Sequence, residues 1–587
     1  MLHQSINRAI LLIMLAALLA ANGCRTAPPS NTNIAPVREK VAGVRGGSLT
    51  VRLTQPPKTF DYLMATDEAA LTIGYFLLGG RLVDFDHDNQ KYVGGLAESW
   101  KNEADGKTVS LLLRDGLKFS DGHPITSEDV AFTFAALYDP KTGSPIFHDA
   151  MMIEGKPIEV SVVNARNLKL TFPVVVSAPE SYLYNLAVLP RHVLEPEMKQ
   201  GKLAEAWGPS SDPARIITSG PFAVESVVPG ERVTLKRNAY YWKKDQSGTS
   251  LPYLDNLVLE IIPDANNTFT RLGQGSLDIA DRIRPGDYAA LKQNPGAIRP
   301  FDQGPGLNTD HLWFNQNAGN KDGKPIVATT KLSWFTDVRF RRAVSTAIDR
   351  ETIATATLQG LATPLSGIVS PGNRSWAAAD LPKPEYNLDK ARALLKEAGF
   401  SERPVADGPE LFDAKGNRVE FTLIVPAENE PRKLMAAAIQ NDLKKLGIKM
   451  QVAPVEGSNV TERWTQTFDY DAILFGVSLT DTEPTSYSGF LRSDSSSHLW
   501  YPKEPKPVTP WEARIDELVA TISRESDPAK RLAAFHEAQV IMADQLPVIP
   551  IVARHLISAA SPRVGNYRPS NILPLSLWNA DELFVKK

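Results

Sequence analysis

Alternation of apolar and polar positions sets in after Gly47. Ser48-Leu49-Thr50-Val51-Arg52-Leu53 puts every second side chain on one face and predicts a strand. Residues 107–113 and 158–163 read the same way. The second of these is predicted to pair with 167–172 across the turn Asn164-Ala165-Arg166. Between them, Thr126-Ser127-Glu128-Asp129 has the form of a helix start with Thr126 as N-cap. That helix carries Val130, Phe134 and Leu137 and stops before Pro140. Further along, 420–425 reads as a strand. Pro431 opens a helix whose apolar face is expected to hold Leu434, Ala438, Ile439, Leu443 and Leu446, and Gly447 ends it. Residues 448–452 and 471–477 follow as strands. A crossover this short through a helix implies parallel pairing. Two more helices are predicted, 389–398 before Gly399 and 511–523, and no repeat of solenoid length occurs. The pattern is that of a mixed α/β chain.

The first residues follow another pattern. Arg8 supplies positive charge, residues 10–21 are an unbroken apolar run, and Ala21-Asn22-Gly23 lead into Cys24. The run is too short for a comfortable membrane span and has the shape of a secretory signal. Cys24 is the only cysteine, so no internal disulfide can form. A lone Cys at the end of such a leader resembles the bacterial lipobox, which implies a signal over 1–23 and acylation at Cys24. Gly23 matches that pattern; Ala21, where Leu is commoner, and Asn22 depart from it. The alternative is a secreted protein with a chance cysteine. Acyl chains worth about 0.8 kcal/mol per CH₂ would hold the product on a membrane. Residues 24–45, rich in Pro, Asn, Ser, Thr and Ala without periodicity, read as a flexible tether.

Composition narrows the class. A chain of 587 residues with 43% hydrophobic and 22% charged residues is ordinary globular protein, long enough for about two to four domains. A net charge of -3 gives no electrostatic case for nucleic acid.

The signatures of catalysis are missing from the text. There is no Gly-x-Ser-x-Gly elbow, no phosphate loop ending in Lys-Ser/Thr, and no Gly-x-Gly-x-x-Gly. None of the nine histidines pairs at helical metal-ligand spacing, and one cysteine excludes zinc-thiolate sites. Asp84-Phe85-Asp86-His87-Asp88-Asn89 invites a calcium reading but lacks the Gly and terminal Glu of an EF-hand loop; a solvated turn is expected there. No cofactor and no metal are expected. Triads assembled from distant residues stay open, so a cell-envelope hydrolase is kept as the reading of another class.

Several segments then occur in order. Gly95-Leu96-Ala97-Glu98-Ser99-Trp100 and Asp105-Gly106-Lys107-Thr108 precede Leu112-Leu113-Arg114-Asp115-Gly116-Leu117-Lys118-Phe119-Ser120-Asp121-Gly122. Ser219-Gly220-Pro221-Phe222, Arg237-Asn238-Ala239-Tyr240-Tyr241-Trp242 and Asp337-Val338-Arg339-Phe340-Arg341-Arg342-Ala343 follow. Together they resemble the extracellular solute-binding proteins of family 5, the dipeptide- and oligopeptide-binding receptors of ABC importers, from about residue 46 to about 564. Many of these residues also explain themselves as scaffold: Asp105-Gly106 and Asp115-Gly116 as turns, Trp100 and Phe119 as core.

The resemblance implies a two-lobed periplasmic-binding-protein (Venus flytrap) α/β fold with an extra subdomain in the first lobe. Lobe one would span 46–308 with an inserted subdomain at about 81–218, lobe two 309–549, and 550–587 would return to lobe one. The chain is expected to cross between lobes near 305–313 and again near 549–555. In the oligopeptide receptors a lobe-two strand runs into a loop with Trp, then an Asp that pairs with the peptide's ammonium, then Glu-Pro-Thr-Ser. Anchored on Glu483-Pro484-Thr485-Ser486, the Trp position here carries Val477 and the Asp position Thr480, with Asp481 one residue on. Either Asp481 reaches the site through a local backbone shift or the ligand lacks a free amine; as plain structure, Asp481 would be an Asx-turn residue on the surface. Ser478, Tyr487, Trp500 and, from lobe one, Tyr75 are the other candidate contacts. Trp464 and Phe76 are further aromatics, each as apt for core. Arg374 and Trp376, in Pro371-Gly372-Asn373-Arg374-Ser375-Trp376, complete the set, since Arg can pair a ligand carboxylate.

These residues imply a non-enzymatic, lipid-anchored receptor at the extracytoplasmic face of a membrane. It would be a monomer that captures short peptides between lobes and delivers them to ABC permease subunits. An oligosaccharide or other non-peptide solute is the alternative ligand.

Overall fold

The computed structural model describes residues 40–294, 296, 298–405, 408–479 and 481–586. The leader, Cys24, most of the tether and Thr480 lie outside them.

Ser48–Leu53 is a strand with Leu49, Val51 and Leu53 buried, as its alternation requires. It lies parallel to Asn256–Ile261, which continues antiparallel through Arg232–Arg237 to Phe222–Val228. Its other edge touches Ile279–Asp281. A separate antiparallel sheet in the order Ala97–Asn102, Thr108–Leu113, Asn167–Thr171, Glu159–Val162 packs into the same core. The hairpin at 164–166 and the helix Ser127–Tyr138 form where the pattern puts them. Thr126 and Asp129 close a reciprocal capping box there.

Lobe two is built on Lys449–Val455, Glu420–Pro426 and Ala472–Val477, parallel neighbours in that order. Glu420–Pro426 and Ala472–Val477, buried over most of their length, read as apolar runs, while the edge strand Lys449–Val455 keeps Lys449, Gln451 and Pro454 exposed. Leu423, Val425 and Leu474 join one core with the helix Glu430–Lys444. Ile424, Ile473 and Val477 join a second with the helices Pro510–Arg524 and Pro528–Gln545. The helix Glu430–Lys444 is phased differently from its sequence reading. Met435, Ala436, Ile439 and Leu443 face the sheet while Leu434 is 46% exposed. At 3.6 residues per turn, the stripe through Ile439 and Leu443 runs back to Met435 and Ala436, which leaves Leu434 beside it.

Two long strands join the lobes. Arg299–Phe314 and Val548–Ala560 run antiparallel, so one continuous sheet passes from lobe two into lobe one. Arg299 to Asp302 pair with Ala560 to Ile557 in lobe one, and Thr309 to Trp313 pair with Ala553 to Val548 in lobe two. Register breaks between Asp302 and Thr309 leave a short joint around Pro305.

Away from the joint the lobes also touch. Ser177 N donates to Ser523 O at 3.1 Å. Gln90 donates through Nε2 to Gly372 O at 2.9 Å and accepts from Arg374 N at 2.8 Å. The turn after Asp86 is therefore not the solvated turn its composition suggests. Asp86 Oδ1 does bind the Asp88 and Asn89 amides, but His87 and Gln90 are 5% and 6% exposed because the turn is pressed against neighbouring chain.

Candidate ligand-binding cleft

At the end of the strand Ala472–Val477 the chain leaves the sheet beside the joint. Leu479 N donates to Asn308 Oδ1 at 3.2 Å, and the loop then enters the short 3-10 turn Pro484–Tyr487. Asp481 organises this loop. Its Oδ1 accepts from Glu483 N at 2.8 Å and from Ser486 Oγ at 2.7 Å. Among the described residues Oδ2 accepts no hydrogen bond, and no cation pairs with the carboxylate. Burial raises its pKa above the ordinary carboxylate range, against the pull of Ser486 and the Glu483 amide.

Glu483 is fixed more tightly. Arg531, on the helix Pro528–Gln545, reaches its Oε2 at 2.8 Å, and both residues are buried. The same guanidinium donates to Ile522 O at 3.2 Å and lies 5.0 Å from the centre of the Trp376 ring. Burial raises the Glu483 pKa, and Arg531 opposes it.

Lobe one faces the loop with Phe85, Tyr92 and Tyr184, whose rings stand 5.3 to 6.1 Å apart and pack with Leu307, Leu479 and Ile572. Burial, then the charges of Glu483 and Asp481, push the Tyr92 hydroxyl well above its usual pKa. The acidic loop of lobe two thus acts on a tyrosine of lobe one. Glu180, on the short helix Pro179–Tyr184, belongs to the same field; burial raises its pKa while Arg531 lowers it.

Charge of the opposite sign gathers at the joint. Asp310, 1% exposed, accepts from Arg432 Nε at 2.7 Å and from Arg554 Nε at 2.9 Å, so two guanidiniums share one carboxylate. Arg432 sits in the first turn of Glu430–Lys444, at the carboxyl ends of the parallel strands, where open α/β sheets bind ligands. Phe475 lies 4.8 Å from that guanidinium. A Cβ on Gly476 would come within 2.1 Å of an Arg432 nitrogen, so only glycine lets the side chain cross the strand here.

The candidate residues fall into four groups. Asp481 and exposed Ser478 stand on the loop at the cleft, and Trp376 lies half-buried under Arg531. Val477, Tyr487 and Trp500 are each 1% exposed and pack in the second lobe-two core, where Trp500 Nε1 donates to Glu512 Oε1 at 2.9 Å. Trp464 packs there too. Tyr75, 4% exposed, packs with Tyr62, Phe76 and Phe147 in lobe one and bonds the Tyr184 carbonyl. Arg374 donates to His87 O at 3.2 Å and Asp88 O at 2.8 Å, joining the lobes. Glu180, Tyr92, Tyr184 and Arg531 escaped the sequence reading, because no local pattern sets them apart. Among the described residues no group of three or more His, Cys, Asp or Glu side chains is placed to hold a metal ion.

The family model described as Bacterial extracellular solute-binding proteins, family 5 Middle, matches residues 91–498. The chain is 30% identical to the "Probable ABC transporter-binding protein" of Deinococcus radiodurans, over 97% of both chains. It is 28% identical to "Di/tripeptide-binding protein 1" of Pseudomonas aeruginosa, over 90% of this chain and 93% of that one. In three dimensions it is similar to the oligopeptide-binding protein AppA from Bacillus subtilis in complex with a nonapeptide. The TM-score is 0.64 at 25% identity, covering 93% of this chain and 100% of the other. With two lobes on one continuous sheet and a match over most of its length, the chain belongs to the bacterial extracellular solute-binding proteins of family 5, the receptors of ABC importers.

Proposed function

We propose that this protein is a lipid-anchored receptor that closes over short peptides and passes them unaltered to its permease. Asp481 carries the peptide reading. Its carboxylate is partly buried, held in place by one oxygen, and has no cation partner among the described residues. A ligand ammonium supplies both the donors and the compensating charge that such a group needs. The Arg432–Asp310–Arg554 cluster adds a surplus of positive charge suited to a carboxylate. A zwitterion meets both. The peptide-binding names of the Pseudomonas and Bacillus relatives agree with this reading. A ligand that touches Tyr92 and Tyr184 as well as the Asp481 loop favours the closed arrangement by contacting both lobes. The sequence of 1–45 supports acylation at Cys24 and a tether on the extracytoplasmic side.

Isothermal titration of Asp481→Asn tests the peptide reading. A free-amine peptide should lose about tenfold or more in affinity, equivalent to about 1.4 kcal/mol, while its N-acetylated form is unaffected. An unchanged free-amine affinity removes Asp481 from the site. Tyr92 and Tyr184 also offer faces on which a sugar could stack. A neutral sugar, however, leaves the Asp481 carboxylate uncompensated. Thermal stabilisation by oligosaccharides and not by peptides would replace the peptide reading. Recovery of a chemically altered ligand would replace the receptor with a hydrolase.

A further inference from the structure

The segment that leads into the first strand is held to lobe one by its main chain. Asn566, 4% exposed, grips Val41 from both sides: Val41 N donates to its Oδ1 and its Nδ2 donates to Val41 O, each at 2.9 Å. The same Nδ2 reaches Glu582 O at 3.0 Å. Gly43 lies on the rings of Tyr253 and Phe584, where a Cβ would come within 2.5 Å and 2.9 Å. Gly46 N then donates to Tyr253 O at 2.8 Å, and Gly47 N to Asp255 Oδ2 at 3.0 Å.

With the main chain engaged by lobe one, the larger side chains turn outward. Val41 and Val44 are 44% and 48% exposed, and the exposed Lys40 and Arg45 flank them. Ion pairs along this face put the cation outside and the carboxylate inside. Lys40 lies 3.3 Å from Glu582, with side chains 57% and 11% exposed. Arg563 lies 3.3 Å from Asp278, with side chains 44% and 5% exposed. Arg563 stands beside the segment, since it also donates to Ser48 O at 2.7 Å. Among the described residues no carboxylate pairs with Arg45. Asp255 is exposed here as well, but Arg237 pairs with it at 2.5 Å. Apolar side chains set among cationic heads match the boundary between anionic headgroups and acyl chains.

Lys40 is 16 positions from Cys24. At 3.3–3.6 Å per residue those positions reach no further than about 55 Å, so acylation at Cys24 keeps this face close to a bilayer. We propose that the face is a docking surface for anionic phospholipid, a second membrane contact besides the acyl chains. It rests on the lipid-anchor reading above and deepens it. Val41 and Val44 enter the headgroup–acyl boundary, and Lys40, Arg45 and Arg563 meet the anionic oxygens of the headgroups. Lobe one is then the fixed lobe of the anchored receptor, and lobe two is the one that swings as the cleft closes.

The test uses the acylated protein in vesicles of phosphatidylcholine mixed with phosphatidylglycerol. Acylation blocks Cys24, so Val44→Cys introduces a single free thiol for a nitrobenzoxadiazole dye. Leu434→Cys, at an exposed position on a lobe-two helix, serves as reference. The expected result is blue-shifted emission at position 44, quenched by nitroxide-labelled lipid, with water-like emission at position 434. Lys40→Glu combined with Arg45→Glu should return position 44 to water-like emission, and added salt should weaken the quenching. Water-like emission at position 44 without the charge reversal overturns the docking surface and leaves the lipid anchor standing. So does a shift that survives the reversal, or an equal shift at position 434. Mass spectrometry of the peptide carrying Cys24 decides the anchor separately: an unmodified Cys24 refutes that reading, and this inference falls with it.

Discussion

Glu483 and Arg531, 48 positions apart, form an ion pair at 2.8 Å in which the side chains are only 8% and 5% exposed. Arg531 is held from its other side by Ile522 O and by the face of Trp376. The pair fixes the back of the loop whose front carries Asp481. Removing one partner of a buried pair leaves an uncompensated charge, which costs about 3–5 kcal/mol.

Urea unfolding of Glu483→Gln and Arg531→Met should therefore each show a loss of that order. The double variant should recover much of it, giving a large coupling energy in the mutant cycle. Additive losses would mean that the two side chains do not depend on each other.

Binding of a free-amine peptide should weaken on acidification. Burial holds the Asp481 carboxyl above its ordinary pKa, so it takes up a proton sooner than an exposed carboxyl would. The neutral acid no longer offers charge to an ammonium. Affinity is expected to be full above that raised pKa and to fall as the pH drops through it, while an N-acetylated peptide shows a flatter profile. Parallel profiles for the two peptides would count against an Asp481–ammonium contact.

Stability should decline from mild acid toward alkaline pH, in part through Glu504. This residue is 1% exposed, and its Oε1 accepts from Val508 N at 3.0 Å. Its Oε2 is buried without a hydrogen-bond partner among the described residues. Burial, and then the charge of Glu512, push its pKa up to about 8 from an ordinary 4.5. The folded state thus holds this proton more tightly than the unfolded chain. The associated stability is complete below the unfolded value and is lost as pH rises toward the folded one. Thermal scans between pH 4.5 and 8 should show the decline, and Glu504→Gln should flatten it. A slope unchanged in that variant would assign the effect to other groups.

Closure should be sensitive to Gly372. A Cβ there would stand 2.2 Å from Pro305 O and 2.6 Å from Asn571 Nδ2, at the joint between the lobes. The neighbouring backbone is also gripped by Gln90. Gly372→Ala should force this contact apart and lower the closed population. About tenfold weaker binding would follow if that population falls tenfold, together with a larger radius of gyration in small-angle scattering. An unchanged radius with unchanged affinity would show that the contact does not govern closure.

Much of the local fold was legible because local rules decide it. Thr126 and Asp129 cap a helix by their own side chains, and Gly447, at φ +73, ends another where few other residues could. The loop carrying Asp481 was legible through Glu483-Pro484-Thr485-Ser486. What its neighbours do was not. Tyr487 and Trp500 fit the cleft wall but are more often core as residue types, and packing puts both in the core. Arg374, expected to meet a ligand carboxylate, instead meets main-chain carbonyls of lobe one.

The order of strands and helices, the family motifs and the place of the acidic loop were set by residues near one another in the chain, since caps, turns and alternation act over a few positions. The composition of the cleft was decided only when two strands carried the backbone from one lobe to the other and back. That crossing brings Tyr92 and Glu180 to face Asp481 and Glu483, some 390 and 300 residues away. It also sets Arg432 and Arg554 on one buried carboxylate. Coulomb forces and desolvation depend on distance in space and on exclusion of water, and neither is written in the spacing of residues along a chain.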